Sequence, residues 1–390
     1  MCLVVPPARP PRDRPWGFFM RRIEAEDHDE ARFMRRALRL AERGRGHVSP
    51  NPVVGALVVH HGNVVGEGWH RACGAPHAEA MALERAGRRA RGATLYVTLE
   101  PCGHYGRTPP CVNAILSAGV RRCCVALKDP HAIVNGRGVR RLRAAGVRVE
   151  LGLCAELARR VLGGYWMLHT RGRPRVTLKL ASSLDGRIAP AGGFARRGRE
   201  RWLTGPRARL EAHRLRAVSD VVVVGSGTAA SDDPRLTPRG VGALRAPLRV
   251  VCDTHLRLPL TLKLFGAPLA SGTVVACGPR ASRRRQAALE SRGVRVWRLR
   301  ATRAGVSPRA LLERLGREGF YDVLVEGGAR LAASWTEAGV VDRIALFAAP
   351  RLLGAAGLSW SPRFAAGWRG RVVEHRILGS DAFSLVEGEA

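Results

Sequence analysis

Apolar residues recur at helical spacing early in the chain, at Met34, Ala37, Leu38 and Ala41, with Arg35, Arg36, Arg39 and Glu42 opposite them. Gly44 and Gly46 then end that helix. The period next changes to that of a strand: "VVGALVVH" (53–60), a turn at His61–Gly62–Asn63, and "VVGEGWH" (64–70) returning as its hairpin partner. There follow a helix, "HAEAMALERAG" (77–87), a strand, "ATLYVTL" (93–99), and a proline-containing loop. A helix, "CVNAILSAG" (111–119), a strand, "RRCCVALKDP" (121–130), a glycine-rich turn and a helix, "GVRRLRAAG" (138–146), complete the first half. Such alternation argues an α/β layered domain ending near Leu153.

A helix, "AELARRVLGGYWMLH" (155–169), bridges to Pro174 without a Gly/Ser- or Pro-rich spacer, so the halves are expected to pack closely. The alternation restarts with "RVTLKLASSLDGRIA" (175–189), a helix around "PRARLEAHRLRA" (206–217) and "DVVVVG" (220–225). "LRVVCD", "TVVACG", "VRVWRL", "DVLVEGG" and "RIALFAAP" continue it as a second α/β domain with no obvious repeat of the first. The expected division is a tail over 1–27, one domain over 28–153, a connecting helix over 154–173 and a second domain over 174–390.

Composition changes this picture little. At 390 residues and 46% hydrophobic, the chain can bury two cores, and no run of 18 apolar residues offers a membrane span. The Pro- and Arg-rich first 27 residues lack a signal-peptide core. They read as a disordered basic tail, or as residues upstream of a start at Met20 or Met34, and a cytoplasmic location is expected. The formal charge of +33 suggests nucleic acid at first sight. Yet only Lys128, Lys179 and Lys263 are lysines and the arginines run along the whole chain, which is compositional bias rather than one basic face. The cysteine count, 9, is odd and follows no secreted framework, which favours metal ligation or simple burial over disulfides.

Candidate chemistry concentrates in "LEPCGHYGRTPPC" (99–111) and "PHAEAMAL" (76–83). A catalytic zinc keeps three protein ligands and one open position, and His77, Cys102 and Cys111 supply such a set. A spacing of two between His77 and Glu79 suits the start of a helix, since residues i and i+2 diverge within one. Glu79 can then act on the attacking water instead of the metal. Two thiolates neutralise a divalent zinc ion, so that water needs a carboxylate base. Pro109 and Pro110 suit the opening of a helix carrying Cys111, whose thiolate gains from the helix dipole. Zinc deaminases use H-x-E and then P-C-x-x-C with Glu as proton shuttle; here eight residues separate the cysteines. The alternative is two buried thiols beside an ordinary Glu and His.

Signals in the second half are weaker by themselves. No G-x-G-x-x-G follows a strand there, so an ordinary dinucleotide-binding unit is unsupported. "DVLVEGGARLAASW" places Gly327–Gly328 between a strand and a helix, where backbone N–H groups can hold a phosphate. In "SGTAASDDPRLTPR", Asp232 and Asp233 precede Pro234 and are expected in a loop at a strand end.

Taken together, "PNPVVGALVV", "GEGWH", "PHAEAMAL", "TLEPCGHYGRTPPC" and "AGVRR" resemble the deaminase half of the bifunctional riboflavin-biosynthesis deaminase–reductases. "LKLASSLDGRIA", "RWLTG", "GSGTAASDDPRLTPR" and "VEGGARLAASW" resemble the reductase half, in the same order. The resemblance implies a cytidine-deaminase-like three-layer α/β/α domain followed by a dihydrofolate-reductase-like α/β domain that uses NADPH. It implies zinc on His77, Cys102 and Cys111, proton shuttling by Glu79, and a pyrimidine and phosphate site lined by Asn51, His70, His104 and Arg107. For the reductase it implies NADPH contacts from Ser182, Trp202, Thr228, Asp232, Thr254 and the turn from Gly328. Arg216, Leu236, Arg239 and Glu326 would contact the ribosyl phosphate, and Lys179 or Asp232 would manage a proton.

Two departures stand out. "DPHAIVNGRG" replaces the commoner Asp-Pro-Asn-Pro, implying a loop change, and Glu200 replaces a substrate-contacting serine. A carboxylate there would repel a phosphate unless Arg199 or Arg201 compensates. The function expected is hydrolytic deamination of 2,5-diamino-6-(ribosylamino)pyrimidin-4-one 5′-phosphate, then NADPH-dependent reduction to 5-amino-6-(5-phosphoribitylamino)uracil. No nucleic acid or membrane partner is expected, and a homo-oligomer is compatible with the sequence. The competing readings are a nucleic-acid base deaminase with an accessory binding domain, and a deaminase with an inactive reductase-like domain.

Overall fold

The computed structural model describes residues 30–105, 109–193, 202–243, 245–360 and 367–389. The N-terminal tail, Arg107 and the Arg199–Arg201 segment lie outside the described residues.

Helix α1 (Ala31–Ala41) buries the expected stripe, Met34, Ala37, Leu38 and Ala41. Strands β1 (Gly55–His60) and β2 (Asn63–Trp69) form the hairpin, with His60 opposite Asn63. Then come α2 (Ala78–Ala86), β3 (Thr94–Val97), α3 (Cys111–Ser117), β4 (Arg122–Val125), α4 (Arg137–Ala144) and β5 (Arg148–Leu151). The sheet order is β2-β1-β3-β4-β5, antiparallel across β2-β1-β3 and parallel across β3-β4-β5. Side chains alternate across it, as strand geometry requires. Leu57, Val59 and Tyr96 face α1 and the following helix, while Ala56, Val58, Leu95 and Val97 face α2, α3 and α4. This is a three-layer α/β/α arrangement. Strand β5 was not anticipated; it is a short edge strand whose Arg148 and Leu151 are exposed, so no apolar run announces it.

The bridging helix is two helices, α5 (Ala155–Leu162) and α6 (Gly164–Arg171). The break falls at Gly163, whose φ is +43°. A Cβ there would stand 1.9 Å from the Arg175 guanidinium, so only glycine leaves room for that side chain.

The second sheet is built from β6 (Arg175–Ser183), β8 (Val221–Gly225), β9 (Leu248–Cys252), β10 (Thr273–Cys277), β11 (Arg295–Arg298), β14 (Asp322–Glu326), β15 (Arg343–Ala349), β17 (Gly370–Leu378) and β18 (Asp381–Gly388). Short strands β7 (Arg187–Ala189), β12 (Ala301–Thr302), β13 (Gly305–Val306) and β16 (Leu358–Ser359) make two small ribbons beside it. Its nine strands run in the order β11-β10-β9-β8-β14-β6-β15-β18-β17. All are parallel up to β15, and β18 and β17 close the edge antiparallel. Helices α7 (Pro206–Val218), α8 (Ser226–Asp232), α9 (Arg283–Glu290), α10 (Pro308–Arg317) and α11 (Ala329–Glu337) connect them. Val222, Val251, Val275 and Leu324 pack with Ala208 and Leu215 of α7; Val223, Val250, Val274 and Val325 pack with Leu311, Leu312 and Trp335 on the other face. Covering both faces makes these strands continuous apolar runs, which is why the sequence announces them. The β17–β18 hairpin escaped notice because charged residues such as Glu374 and Arg376 interrupt it.

Asp232 departs from the loop expected for it. It is the last residue of α8, and Asp233 caps that helix with φ +40°.

The two halves meet through buried polar groups. Arg245 donates to the Gly46 carbonyl at 2.8 Å and pairs with Asp220, whose other oxygen accepts the N–H groups of Tyr321 and Asp322 at 2.9 and 3.0 Å. Beside this contact, and within the second sheet itself, Arg175 and Asp322, neighbours across β6 and β14, pair at 2.7 Å. Among the described residues no helix is long and apolar enough to cross a membrane.

Candidate active site

His77 is the residue immediately before α2, in extended conformation, with Glu79 in the first turn behind it. Cys111 opens α3 directly after Pro110, and its backbone N–H donates to Cys102 Sγ at 3.3 Å. Two helix N-termini and the loop after β3 thus bring three side chains together. His77 Nδ1 lies 3.0 Å from Cys111 Sγ and 3.6 Å from Cys102 Sγ. All three donor atoms fall within 4.8 Å of one another, and a nitrogen-and-two-sulfur set of that span fits a tetrahedral zinc ion with one position open. A second close group, Glu30, Cys124 and Glu150, is filled by Arg122, which pairs with both carboxylates.

The electrostatics divide labour within the cluster. A hydrogen bond from Cys111 and a second from His77 pull the Cys102 thiol down to about 4, while the Cys111 thiol is pushed up by sharing that bond and by burial. The imidazole of His77 is raised, chiefly by its hydrogen bond to Cys102. Glu79 is 3% exposed, and burial holds its carboxyl above the usual range. Raising the carboxyl in this way favours its protonated form, which suits a group that must both take and give a proton.

Around the cluster, His70 Nδ1 faces the Pro76 carbonyl at 3.3 Å, an atom that only accepts. Nε2 therefore accepts from Asn51 Nδ2, at 3.0 Å, and the Asn51 Oδ1 stays available. The His70 ring stands edge-on to His77 at 5.3 Å, and burial lowers its basicity. His104, two residues beyond Cys102, has a buried Nδ1 with no hydrogen-bond partner among the described residues. Arg107 lies outside them.

One residue escaped the sequence reading. Glu100, 4% exposed, accepts the backbone N–H groups of Asp129, Gly136 and Val139 at 3.2, 2.8 and 3.1 Å. It ties the Cys102 loop to the start of α4. A charged residue inside "TLEPC", between apolar neighbours, was the available signal.

In the second half the candidate residues gather at the carboxyl ends of parallel strands, where open α/β sheets hold ligands. Glu326 ends β14 opposite Lys179 of β6, and Arg216 of α7 grips it with two bonds of 2.5 and 2.8 Å. Burial pulls the Glu326 carboxyl up, but Arg216 outweighs it and the net shift is down. Burial lowers Lys179, with Glu326 and Asp232 opposing. Gly328 precedes α11, and its N–H donates to Thr228 Oγ1 of α8 at 3.2 Å. Thr254, after β9, accepts from the Val306 N–H at 3.1 Å. Trp202 is 45% exposed with Arg209 over its ring at 5.2 Å. Arg239 is exposed beside His213, 3.4 Å away; partial burial and the nearby charges of Arg216 and Arg235 lower it. Two candidates sit differently. Leu236 is 2% exposed with its side chain in the core, leaving only its backbone for substrate. The Ser182 hydroxyl is turned to the Ser183 carbonyl at 2.8 Å.

Residues 27–127 match the family described as cytidine and deoxycytidylate deaminase zinc-binding region, and residues 174–381 match the RibD C-terminal domain. The chain is 41% identical to the riboflavin biosynthesis protein RibD of Aquifex aeolicus over 327 residues, covering 84% of this chain and 88% of that one. It is 39% identical to the Escherichia coli RibD, covering 83% and 88%. Among solved structures, Acinetobacter baumannii RibD superimposes with a TM-score of 0.83 at 35% identity, covering 93% of this chain and 99% of that one. A Thermotoga maritima diaminohydroxyphosphoribosylaminopyrimidine deaminase/5-amino-6-(5-phosphoribosylamino)uracil reductase gives 0.79 at 31% identity, over the same shares.

Proposed function

From the premise that this chain belongs to the RibD family, the bifunctional deaminase–reductases of riboflavin biosynthesis, we propose how its residues divide the two reactions. Deamination falls to residues 28–153 and reduction to 174–390, with the helical connector between them. The convergence of His77, Cys102 and Cys111 beside a buried Glu79 carries the reading.

Those three ligands would hold zinc, which when bound is a Lewis acid that makes water nucleophilic at neutral pH. Glu79 takes the proton of the attacking water and passes it to the exocyclic nitrogen, which leaves as ammonia. Asn51, oriented by His70, offers its carbonyl oxygen to an N–H of the pyrimidine. His104 would supply its Nδ1, which has no hydrogen-bond partner among the described residues.

In the reductase, NADPH when bound would supply the hydride for one carbon of the open-chain ribosylamine in its imine form, and the chain's own residues would have to bring a proton to the adjacent nitrogen. We assign that proton to Lys179, whose burial makes it the readier donor. Trp202, Thr228, Asp232, Thr254 and the turn at Gly328 would orient the cofactor, with Ser182 contributing through the backbone. Arg239 would attract the phosphate, Arg216 would approach it with the part of its guanidinium that Glu326 leaves over, and Leu236 would add backbone contact. Glu326, both of whose oxygens accept from Arg216, would meet ribosyl hydroxyls with its remaining lone pairs.

Incubation with the diaminopyrimidine ribosyl phosphate, with and without NADPH, followed by mass analysis, tests this. Oxygen should replace the amine without NADPH, and hydrogen should be gained only with it. Deamination without NADPH turnover would leave the second domain inactive. Steeply salt-dependent binding and deamination of single-stranded RNA would overturn the reading.

A further inference from the structure

The loop carrying Asn51 belongs to no helix or strand, so its backbone takes its geometry from individual contacts. The Asn51 N–H bonds the Val48 carbonyl at 2.9 Å, a local turn. Its own carbonyl accepts a hydrogen bond from the other half of the molecule: the Tyr321 hydroxyl, 2.9 Å away and 270 positions later in the chain. Tyr321 is well placed to be rigid. It is 8% exposed, and its N–H donates to Asp220 at 2.9 Å. Its carbonyl accepts from the Arg175 N–H at 2.9 Å. Its ring stands edge-on to Tyr165, 6.3 Å between centroids.

We propose that Tyr321, a residue of the reductase half, is a positioning residue for deamination, holding the Asn51 carbonyl so that the Asn51–His70 pair keeps its orientation toward the pyrimidine. The inference rests on the reading of Asn51 as a pyrimidine contact. Physically, the Asn51 side chain is fixed at one end by His70 and its peptide at the other by Tyr321. With the phenol gone, the peptide can rotate, and the amide plane then fits the base in only a fraction of molecules. That fraction lowers apparent substrate affinity without touching the zinc ligands or Glu79. Full deaminase competence accordingly requires the second domain to be docked.

The test uses the full-length, zinc-loaded protein with Tyr321→Phe, which keeps the buried ring and removes one hydroxyl. Loss of a neutral hydrogen bond should raise the deaminase KM roughly three- to tenfold. Deaminase kcat, zinc content and reductase turnover should stay near wild type, a split that general loosening would not produce. The same substitution made on Asn51→Ala should add nothing further, since Tyr321 acts through Asn51. An unchanged KM, a parallel fall in both activities and zinc content, or full additivity on Asn51→Ala overturns the proposal. If Asn51→Ala itself leaves KM unchanged, the reading of Asn51 fails and the inference falls with it. If Asn51→Ala raises KM and Tyr321→Phe does not, only the positioning role fails.

Discussion

Glu79 stands in the first turn of α2, buried beside the three candidate ligands without being one of them. Replacing it by glutamine leaves His77, Cys102 and Cys111 intact. Glu79→Gln should retain zinc at wild-type stoichiometry, keep reductase turnover, and lose deamination by at least about 10²-fold, the scale of positioned acid–base catalysis. Ammonia release and metal analysis on one preparation check this. The ligands themselves predict a pH dependence. Without metal, Cys111 and His77 both hold protons more tightly than usual, whereas Cys102, drawn down to about 4, is already a thiolate at neutral pH. Metal displaces the protons that remain, so zinc affinity should rise as pH rises and loading should release protons. Calorimetric titration in buffers of different ionisation enthalpy reads that release; affinity independent of pH from about 6 to 8 would contradict it.

At the scale of elements, the ligand set depends on how α2, α3 and α4 meet the sheet. Helix α4 approaches so closely that a Cβ on Gly138 would stand 1.9 Å from the Pro101 carbonyl, one residue from Cys102. Gly138→Ala should therefore push the Cys102 loop away from His77. Destabilisation of about 1–3 kcal/mol is expected from such overpacking, together with reduced zinc content. Thermal unfolding and metal analysis measure both. Most of these elements were legible beforehand. The period changes marked β1, β2, β3 and α2, and Pro109–Pro110 marked the start of α3. The H-x-E spacing put His77 and Glu79 at a helix start, as found. What eluded the pattern has two sources: β5 and β17 are edge strands and β18 lies next to the edge, all with polar residues among apolar ones, while the α5–α6 break falls at Gly163 beside Arg175, which lies beyond the helix itself.

For the molecule as a whole, the second sheet buries an ion pair of its own where it faces Glu42 and Arg45 of the first half. The Arg175 and Asp322 side chains are 7% and 11% exposed, and each is the other's counter-charge. Asp322→Asn leaves a buried guanidinium without that partner and should cost about 3 kcal/mol. A lower denaturant midpoint would show it, and cooperative loss of both activities together would show that the junction holds both halves. Tyr321 and Arg245 tie the same junction to the Asn51 and Gly46 loops, so the coupling proposed for deamination belongs to this scale as well.

Sequence alone determined what local chemistry can specify: the order of strands and helices, the residue types able to hold zinc, and the motifs that place the chain in its family. Period, turn residues and short spacings act between near neighbours, where chain connectivity keeps the alternatives few. Only the tertiary structure decided which side chains spend their capacity on one another. Arg216 is committed to Glu326, Leu236 is turned into the core, Glu100 binds three distant amides, and Tyr321 reaches Asn51. Such pairings join residues far apart in the chain, and no periodicity records them; packing brings them together.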